Sequence, residues 1–451
     1  MEFFHIINEA LAQVSNFICG FPLFILLIGG GCFLFFYSGA IPLRKLGTAV
    51  HSLRMKKSGA GQISSFQALM STISSTVGLG NIAGVAVALV VGGPGAIFWM
   101  WISAFFGMAT KFFEGVLAIK YKGKDDKGVA QGGPMYVLTE GISKKMKPLA
   151  VIFACAGMIG CLVLMQANQL SEALTTICVC PLMGVEDSLF VRFIVGLCLG
   201  ILVSIVVLGG ISRIAKVASR MVPAMVSCYF LMVVFIIVTN FDLLPGVFVS
   251  IFKGAFNFQA GLGGFIGVAL TGVRRAMFVN EAGVGTAGMM HGASMNAEPV
   301  REGLVAMLGP AIDSGLVCTL TAIPIIMANN FHSPDVAGLS IAMGAYEILI
   351  PEVGKYLLLC MVIVFALSTM FSYSYYGNKC TSYLFGSSKG KYYSYFYIAT
   401  IILSSIMTLD AVISIIDMAF AIMAFANMTA VFKLAPVVKS EIKKFNQQLK
   451  K

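Results

Sequence analysis

Charge is scarce in this sequence. Of 451 residues only 11% are charged, whereas 58% are hydrophobic, and the mean hydropathy is +0.90. A soluble globular protein cannot hide so much apolar surface from water, so the composition excludes that class. We therefore predict an all-α polytopic membrane protein whose principal partner is the lipid bilayer.

Metal-binding patterns are also missing. The eleven cysteines lack the paired spacing of metal or redox sites, and most lie in apolar stretches, so we interpret them as small hydrophobic side chains. The four histidines, His5, His51, His291 and His332, lie near ends or loops and show no metal-ligand spacing. Without a nucleophile–base or metal constellation, a membrane-embedded enzyme is disfavoured. The sequence likewise has neither the repeated selectivity filter of a channel nor the soluble domain of a signalling receptor.

Basic residues exceed acidic ones by 11, but they lie in short loops between apolar stretches and lack aromatic interleaving or a nucleic-acid motif. We therefore expect no nucleic-acid partner.

The first thirteen residues, MEFFHIINEALAQ, lack the basic region of a cleavable signal, so we expect the mature chain to keep them. Nothing in the sequence indicates strong self-association, and we expect a monomer or weak oligomer.

Eleven stretches approach the length of about 20 apolar residues that a helix needs to cross a bilayer. They cover residues 21–42, 66–91, 95–120, 148–170, 189–209, 217–239, 261–290, 303–327, 354–384, 394–409 and 411–434. Of the 31 basic residues, 25 fall in alternate connections or in the C-terminal tail, which predicts that this side is cytoplasmic and that the N-terminus lies outside. In the outer loop, residues 336–349 fit an amphipathic helix, either a gate or an ordinary surface helix.

The second stretch is interrupted at its centre. Gly78, Gly80 and Gly84 make unwinding inexpensive, and Asn81 places an amide at the opening. Within a bilayer, a broken helix is tolerated only where its freed backbone groups line a cavity or bind a ligand. The seventh stretch is interrupted too, and it carries Arg274, Arg275, Asn280 and Glu281 at membrane depth, which indicates a protected interior.

Because the two interrupted stretches stand five spans apart, spans two to six and seven to eleven form two halves of five that insert with opposite orientation. Matching interruptions in inverted repeats are typical of a transporter with a binding site at the membrane midplane. We expect an N-terminal helix and connection at 1–65, a first repeat at 66–240, an outer connection at 241–260, a second repeat at 261–434 and a basic cytoplasmic tail at 435–451.

Such a site presents N–H groups to an anion and free carbonyls to a cation, which suits a zwitterionic amino acid together with a metal ion. In the ninth span, the hydroxyls of Ser368 and Thr369 stand one turn beyond the carbonyl of Phe365. They are candidate cation ligands, although serine and threonine in membrane helices also bond their own backbone.

Six sequence blocks carry a family resemblance: GNIAGVA at 80–86, GGPGAIFWMW at 92–101, GMATKFFE at 107–114, GGPMY at 132–136, NEAGVGTA at 280–287 and SYYGNKC at 374–380. On these blocks the chain resembles the alanine or glycine:cation symporter family, whose members resemble the LeuT-like fold with one extra N-terminal helix. The resemblance implies sodium- or proton-coupled uptake of a small neutral amino acid across a prokaryotic inner membrane.

The same resemblance implies site residues. The carbonyls of Ser74, Val77 and Phe365 and the hydroxyls of Ser368 and Thr369 would hold Na⁺. The implied substrate-binding residues are Thr76, Gly78, Leu79, Gly80, Asn81, Gln166, Asn168, Phe278 and Asn280. Of these, Thr76 and Asn81 would also frame a second cation with the substrate carboxylate. Two residues depart from the family, since Leu79 replaces a threonine or alanine and Val279 a serine, which leaves the transported amino acid open, with glutamine or serine as alternatives.

Four residues have a second interpretation each. Gln166 and Asn168 either contact substrate or join helices by hydrogen bonds. Phe278 either covers the substrate side chain or packs in the core. For Asp313 we predict an ion pair with Arg274 or Arg275 in preference to cation binding.

Two further predictions concern charged residues at membrane depth. Lys111 and Glu114, three residues apart, are expected to form a structural pair near the cytoplasmic end. Asp417 is assigned only an interior polar contact.

Overall fold

The protein is almost wholly helical in a computed structural model that describes residues 17–53, 59–256, 261–331, 338–407 and 409–448. The predicted helical membrane architecture is confirmed, with one short hairpin added. Some residues used in the sequence predictions lie outside the described residues. They are the N-terminal segment with His5, His332, the first two residues of the 336–349 stretch, and five basic residues counted for orientation: Arg54, Lys56, Lys57, Lys450 and Lys451.

The first part of the chain contains fourteen α-helices within the described ranges. They are α1 Phe21–Phe24, α2 Gly30–Tyr37, α3 Ile41–Arg44, α4 Leu46–Ser52, α5 Ser65–Thr76, α6 Val85–Gly92, α7 Gly95–Lys120, α8 Pro134–Tyr136, α9 Lys147–Gly160, α10 Leu164–Leu174, α11 Cys180–Met183, α12 Leu189–Val207, α13 Gly210–Thr239 and α14 Leu244–Ala255.

The second part contains nine more in the described residues. They are α15 Gly261–Asn280, α16 Thr286–Gly292, α17 Pro299–Ala306, α18 Leu308–Pro310, α19 Cys318–Ala328, α20 Gly338–Leu349, α21 Gly354–Phe385, α22 Ser387–Ser404 and α23 Leu409–Gln448. The last helix runs on past residue 434, so the described part of the predicted tail continues the final span as helix.

Shorter elements join these helices. In the described ranges, five π-helical turns occupy Ile25–Gly29, Gly80–Gly84, Val137–Ile142, Thr175–Val179 and Ala311–Val317, and 3₁₀ turns occupy Lys144–Met146 and Phe241–Leu243. Two strands, β1 Gly123–Lys124 and β2 Ala130–Gln131, pair antiparallel in the connection after α7. Two of the π turns, at 80–84 and 311–317, lie beside the site described below, as π-bulges often do.

Seven described helices are long and apolar enough to cross a membrane, and the bent pair α5 and α6 brings the number to eight. These eight match eight of the predicted spans. Among the remaining three, Phe21–Tyr37 is shorter, and the helices at 261–292 and Ser387–Ser404 do not meet the same criterion. The count of eleven spans stays a prediction.

Burial distinguishes central from peripheral helices. In the apolar stretch of α7, 83% of the residues are buried, and α7 packs against α15 and α17. In the apolar stretches of α12 and α13, only 33% and 28% of the residues are buried. Exposed Phe190, Ile201, Leu231 and Phe235 make the outer surfaces of α12 and α13 apolar. Such a surface is stable against lipid and not against water.

The first broken helix comprises α5, the unwound residues 77–78 and the helical stretch 79–92. Its start has a capping box, in which Ser64 and Gln67 satisfy each other's backbone N–H groups. The helix ends at Val77, whose ψ of 92° is extended, and the two segments meet at an angle of 55°. The interruption predicted from the glycines is therefore a real bend.

The second broken helix comprises α15, residues 281–285 and α16. Its interruption contains three residues with positive φ, namely Glu281 at 51°, Gly283 at 93° and Gly285 at 95°. Glycine adopts these angles without strain, but glutamate does so only at a cost. The surrounding contacts must hold Glu281 in place.

The two broken helices are joined at the end that the sequence predicts to be cytoplasmic. The amide of Gln62 donates to the carbonyl of Ala293 at 2.8 Å, and the amide of Met295 donates to the carbonyl of Ile63 at 2.7 Å. The ammonium of Lys122 donates to the carbonyls of Ala60 and Ser294 at 2.8 and 2.7 Å. We call these contacts the lower latch, and they join the residues just before α5 to those just after α16.

At the opposite end, α20 lies over the second half of the first broken helix. A Cβ at Gly338 would collide with the carbonyl of Ala83, so the two backbones are in close contact. Helix formation in the described part of the predicted amphipathic stretch is confirmed. Its packing leaves both interpretations open, a gate or an ordinary covering helix.

Candidate functional site

A cavity lies between the two broken helices. Its walls come from the first broken helix, α9, α10, α15, α21 and α23, and its lining residues are Gly80, Gly84, Gly160, Leu162, Met165, Gln166, Arg275, Phe278, Val279, Tyr373, Ile416, Asp417 and Phe420. It encloses about 610 Å³ of empty space, counting the part open to solvent. A mostly apolar cavity with a few polar groups is the usual form of a small-molecule site.

Two aromatic rings cover one side of this cavity. Phe278 of α15 stacks on Phe420 of α23 with ring centres 5.8 Å apart and planes at 19°. Val279 follows Phe278 and faces Gly80, where a Cβ would lie 3.9 Å from its side chain. The valine therefore narrows the space beside the first interruption.

The first interruption is organised by Asn81. Its side-chain oxygen accepts the amide N–H of Gly78 at 3.0 Å, which satisfies one backbone donor freed by unwinding. Its side-chain nitrogen donates to the carboxylate of Asp313. Asn81 thereby connects the unwound segment to the π-helical turn after α18.

The predicted cation ligands come together at this interruption. The hydroxyl of Ser74 donates to the carbonyl of Ser368 at 2.8 Å, and the hydroxyls of Ser368 and Thr369 lie 2.9 and 3.1 Å from the carbonyl of Phe365. A Cβ at Gly78, the neighbour of Val77, would collide with the Thr369 hydroxyl.

All five predicted ligand residues therefore occupy one fully buried region where α5 ends against the middle of α21. In the described residues no group of three or more His, Cys, Asp or Glu side chains is arranged to hold a metal ion. The donors available here are neutral oxygens, which suit a monovalent cation such as Na⁺.

Asp313 contradicts one prediction. It is fully buried and pairs with Asn81, whereas Arg274 forms an ion pair with Asp417 at 2.8 Å. The predicted pairing of Asp313 with an arginine is therefore wrong, because the arginines lie on the α15 face that meets α23. The Thr76 hydroxyl also faces the Asp313 carboxyl.

Lys111 and Glu114 also differ from expectation. One oxygen of Glu114 accepts hydrogen bonds from the amide of Gly283 at 3.0 Å and from the side chain of Asn427 at 2.7 Å. The Lys111 ammonium is buried and has no hydrogen-bond partner within the described ranges. The predicted direct pair is wrong, since the Glu114 carboxylate is turned toward the second interruption. The two residues interact only through their charges.

Three of the nine predicted substrate-binding residues line the cavity: Gly80, Gln166 and Phe278. Three others lie at or next to the first interruption, namely Thr76, Gly78 and Asn81. Asn280 lies at the second interruption, and its side-chain nitrogen donates to the Ser314 hydroxyl at 3.1 Å. Leu79 is buried in the apolar core and does not line the cavity. Asn168 donates to the carbonyls of Ser404 and Met407 at 2.8 and 2.7 Å, so its amide joins α10 to the end of α22.

Sequence reasoning missed Tyr373, Met165 and Phe420 as lining residues, and it gave Arg275 and Asp417 no place in the cavity. The sequence did contain a signal for one of these residues, Arg275. Arg275, Phe278 and Val279 have the i, i+3, i+4 spacing of one helix face, and Phe278 was already a candidate. Tyr373 lies one turn beyond Thr369, on the helix that bears the predicted cation ligands.

Comparison with known proteins gives a family from sequence and a fold from structure. The model of the Sodium:alanine symporter family matches residues 4–451. The chain is 38% identical to the Sodium/alanine symporter AgcS of Methanococcus maripaludis, over 99% of this chain and 98% of that one. It is 32% identical to the probable sodium/glutamine symporter GlnT of Bacillus subtilis, over 95% and 88% respectively.

The crystal structure of MhsT in complex with L-phenylalanine superposes with a TM-score of 0.62 at 12% identity, over 83% of this chain and 89% of that one. At this identity the likeness concerns the fold, which is LeuT-like. The chain therefore belongs to the sodium:alanine symporter family, and it is a multi-pass membrane transporter and not an enzyme.

Proposed function

We propose that this protein carries a small neutral amino acid, alanine or glycine, into the cell together with Na⁺ by alternating access. One observation carries the proposal. The neutral oxygens of Ser74, Phe365, Ser368 and Thr369 converge on the interruption whose other side, at Gly80, forms a wall of the cavity. A cation and an organic substrate would thus share one unwound segment.

Coupling follows from that shared segment. A cation bound by Ser368 and Thr369 would attach α21 to the end of α5 and fix the turn at Gly78. The ordered turn would then offer its N–H groups to a substrate carboxylate. Because each ligand favours the same closed arrangement, each increases the affinity for the other by the same factor.

The cavity supports a small substrate. Val279 and the stacked pair Phe278 and Phe420 occupy the space into which a longer side chain would extend. Gln166 and Tyr373 supply the polar groups that a glutamine or serine side chain would need, which keeps these amino acids as the second candidate class.

The proposed architecture has eleven spans, with two inverted repeats of five after one extra helix, in a prokaryotic inner membrane with the N-terminus outside. Two broken helices at corresponding positions support the repeats, and the charge distribution supports the orientation. In this arrangement the lower latch is the cytoplasmic barrier. Its opening would release both ligands to the cytoplasm.

The decisive experiment is uptake of radiolabelled alanine and glycine into proteoliposomes. We expect accumulation when Na⁺ is high outside, and none when K⁺ replaces Na⁺ or an ionophore dissipates the gradient. Inhibition of this uptake by unlabelled serine or glutamine tests these two amino acids as alternative substrates. An imposed pH gradient tests H⁺ as the coupling ion. Uptake that depends on no cation gradient would refute coupled transport.

A further inference from the structure

Glu281 is a buried carboxylate at the second interruption that the transport cycle proposed above does not use. It is 0% exposed and is held at a positive φ of 51°. The hydroxyl of Tyr373 donates to one of its oxygens and the hydroxyl of Thr286 to the other. Two hydroxyl contacts thus fix a residue whose backbone angle is unfavourable.

Tyr373 also lines the substrate cavity. Its phenol group reaches from the cavity wall to Glu281, so one hydrogen bond separates the carboxylate from the space that the substrate would occupy. A change of charge on Glu281 would therefore be felt at the cavity through the orientation of this hydroxyl.

The charges around Glu281 do not balance. Lys111, Glu114, Glu281 and Asp313 are all at most 3% exposed, and they interact through their charges. In the described part of the chain this group holds one ammonium and three carboxyls. Among the residues that the structure describes, the Lys111 ammonium and one oxygen each of Glu114 and Asp313 find no hydrogen-bond partner. A buried excess of negative charge is costly, so the group must take up cations or protons.

Hydrogen bonding distinguishes the carboxyls. Glu114 accepts N–H groups from Gly283 and Asn427 on one oxygen. An N–H group can only donate a hydrogen bond, so these two bonds favour the ionised carboxylate of Glu114. The charge of Lys111 interacts favourably with that carboxylate. Both partners of Glu281 are hydroxyls, which can donate or accept. Glu281 can therefore gain a proton and keep both hydrogen bonds.

The titratable and charged groups that face Glu281 come from every neighbouring element. They are Lys111 and Glu114 on α7, Asp313 on the π turn, Tyr373 and Tyr376 on α21, and Cys161 after α9. In the described part of the chain, Glu281 is the carboxyl of this group whose two hydrogen-bond partners are both hydroxyls, and Tyr373 connects it to the cavity wall.

We propose that Glu281 binds a proton from solution and that this proton is linked to substrate binding through Tyr373. The proposal rests on the proposed function, since it concerns the same cavity. Substrate entry removes water from the cavity wall and so favours the neutral carboxyl. Binding of the amino acid is then accompanied by uptake of up to one proton.

Calorimetric titration of the purified protein with alanine and glycine, in saturating Na⁺, tests this linkage. Repeating each titration in buffers of different ionisation enthalpy counts the protons exchanged. We expect uptake approaching one proton at alkaline pH, and a dissociation constant that rises up to tenfold per pH unit once Glu281 is ionised in the free protein.

The variant Glu281→Gln should bind the amino acid with no proton uptake from this site and a flat pH profile. If that variant does not fold, Tyr373→Phe serves instead, since it keeps the carboxylate and removes its connection to the cavity, and the pH profile should flatten. Glu347→Gln, at an exposed carboxylate on α20, is the matched control and should retain the wild-type proton count.

Amino acid binding without proton exchange between pH 5.5 and 9 would overturn the linkage and leave the proposed transport function intact. The linkage would equally be refuted if Glu281→Gln took up as many protons as the wild type. If no small neutral amino acid bound at all, the proposed function itself would fail, and the linkage with it.

Discussion

Ser74 and Ser368 exchange hydrogen bonds between the first broken helix and α21. The Ser74 hydroxyl lies 2.8 Å from the carbonyl of Ser368, and the Ser368 hydroxyl lies 3.3 Å from the carbonyl of Ser74. A bound cation would take over oxygens that these hydroxyls now share. In the proposed transport cycle, this reciprocal contact is therefore where cation binding would act on the unwound segment.

Removing the two hydroxyls of α21 tests the cation site. In Ser368→Ala with Thr369→Ala, we expect the Na⁺ concentration for half-maximal uptake to rise at least tenfold, which corresponds to about 1.4 kcal/mol of lost binding energy. Ser374→Ala is a matched control, since that buried hydroxyl on the same helix bonds only its own backbone at Phe371. An unchanged Na⁺ requirement in the double variant would show that the cation binds elsewhere.

The sequence predicted the parts of the site that depend on local chain properties. Glycines and an asparagine in an apolar stretch located the first interruption, and charges at membrane depth located the second. The spacing of Phe365, Ser368 and Thr369 predicted hydroxyls and a carbonyl on one face, which the helix reproduces. Helical periodicity and membrane cost suffice for such predictions.

What escaped prediction depends on which helix faces which. Asp313 was expected to meet an arginine, but it packs against Asn81, and Arg274 meets Asp417 instead. A buried charge requires a partner, and the sequence alone does not say which segment supplies it. Leu79 shows the same limit, since its side chain enters the core while Val279 narrows the cavity.

Gly84 provides a test of substrate size. It lines the cavity, and a Cβ added there would meet nothing within 4 Å, so Gly84→Ala should fold normally while reducing the space available. We expect uptake of glycine to be retained and uptake of serine or larger amino acids to fall severalfold. Gly47→Ala, which also has open space around it but lies far along the chain, is the control in competition assays. A fall in glycine and serine uptake by the same factor would argue against Gly84 as a size-limiting residue.

The ion pair between Arg274 and Asp417 should stabilise the contact of α15 with α23. Asp417 is 7% exposed and Arg274 31% exposed, so we expect a coupling energy of about 1 kcal/mol, below that of a fully buried pair. The measurement is a double-mutant cycle of apparent Tm with Arg274→Gln, Asp417→Asn and the double variant. Strict additivity of the two single effects would show that the pair contributes nothing.

The pair of Arg192 and Asp187, at the start of α12, is a useful comparison. Two hydrogen bonds from Arg192, at 2.8 and 2.6 Å, lower the pKa of the Asp187 carboxyl. A lowered carboxyl pKa means that the stabilisation is present at neutral pH and is lost as the pH falls through the lowered value. The Asp187 side chain is 33% exposed whereas that of Asp417 is 7% exposed, so Asp187→Asn should change the apparent Tm at pH 7 by less than the variants at Arg274 or Asp417 do.

Lys122 should keep the lower latch closed. Its ammonium bonds the carbonyls of Ala60 and Ser294, and partial burial, which lowers the pKa of Lys122, shows that these contacts carry a desolvation cost. We therefore expect Lys122→Met to weaken closure by about 1 kcal/mol, or roughly fivefold in the closed-to-open ratio. Ser294 is fully buried, so in a Ser294→Cys background a water-soluble maleimide should label the new cysteine only when the latch opens.

Labelling of that peptide, followed by mass spectrometry, should slow in Na⁺ and should accelerate severalfold when Lys122→Met is added. Lys124→Met is the control, since Lys124 is exposed in β1 and forms no part of the latch. Equal labelling rates in the background and in Lys122→Met would show that backbone pairing between residues 62–63 and 293–295 closes this end without the lysine. Faster labelling in Lys122→Met would show that the Lys122 side chain helps to set the closed population of the latch. If Na⁺ still slows labelling in that variant, the cation site acts on the same closed-to-open equilibrium from the other end of α5.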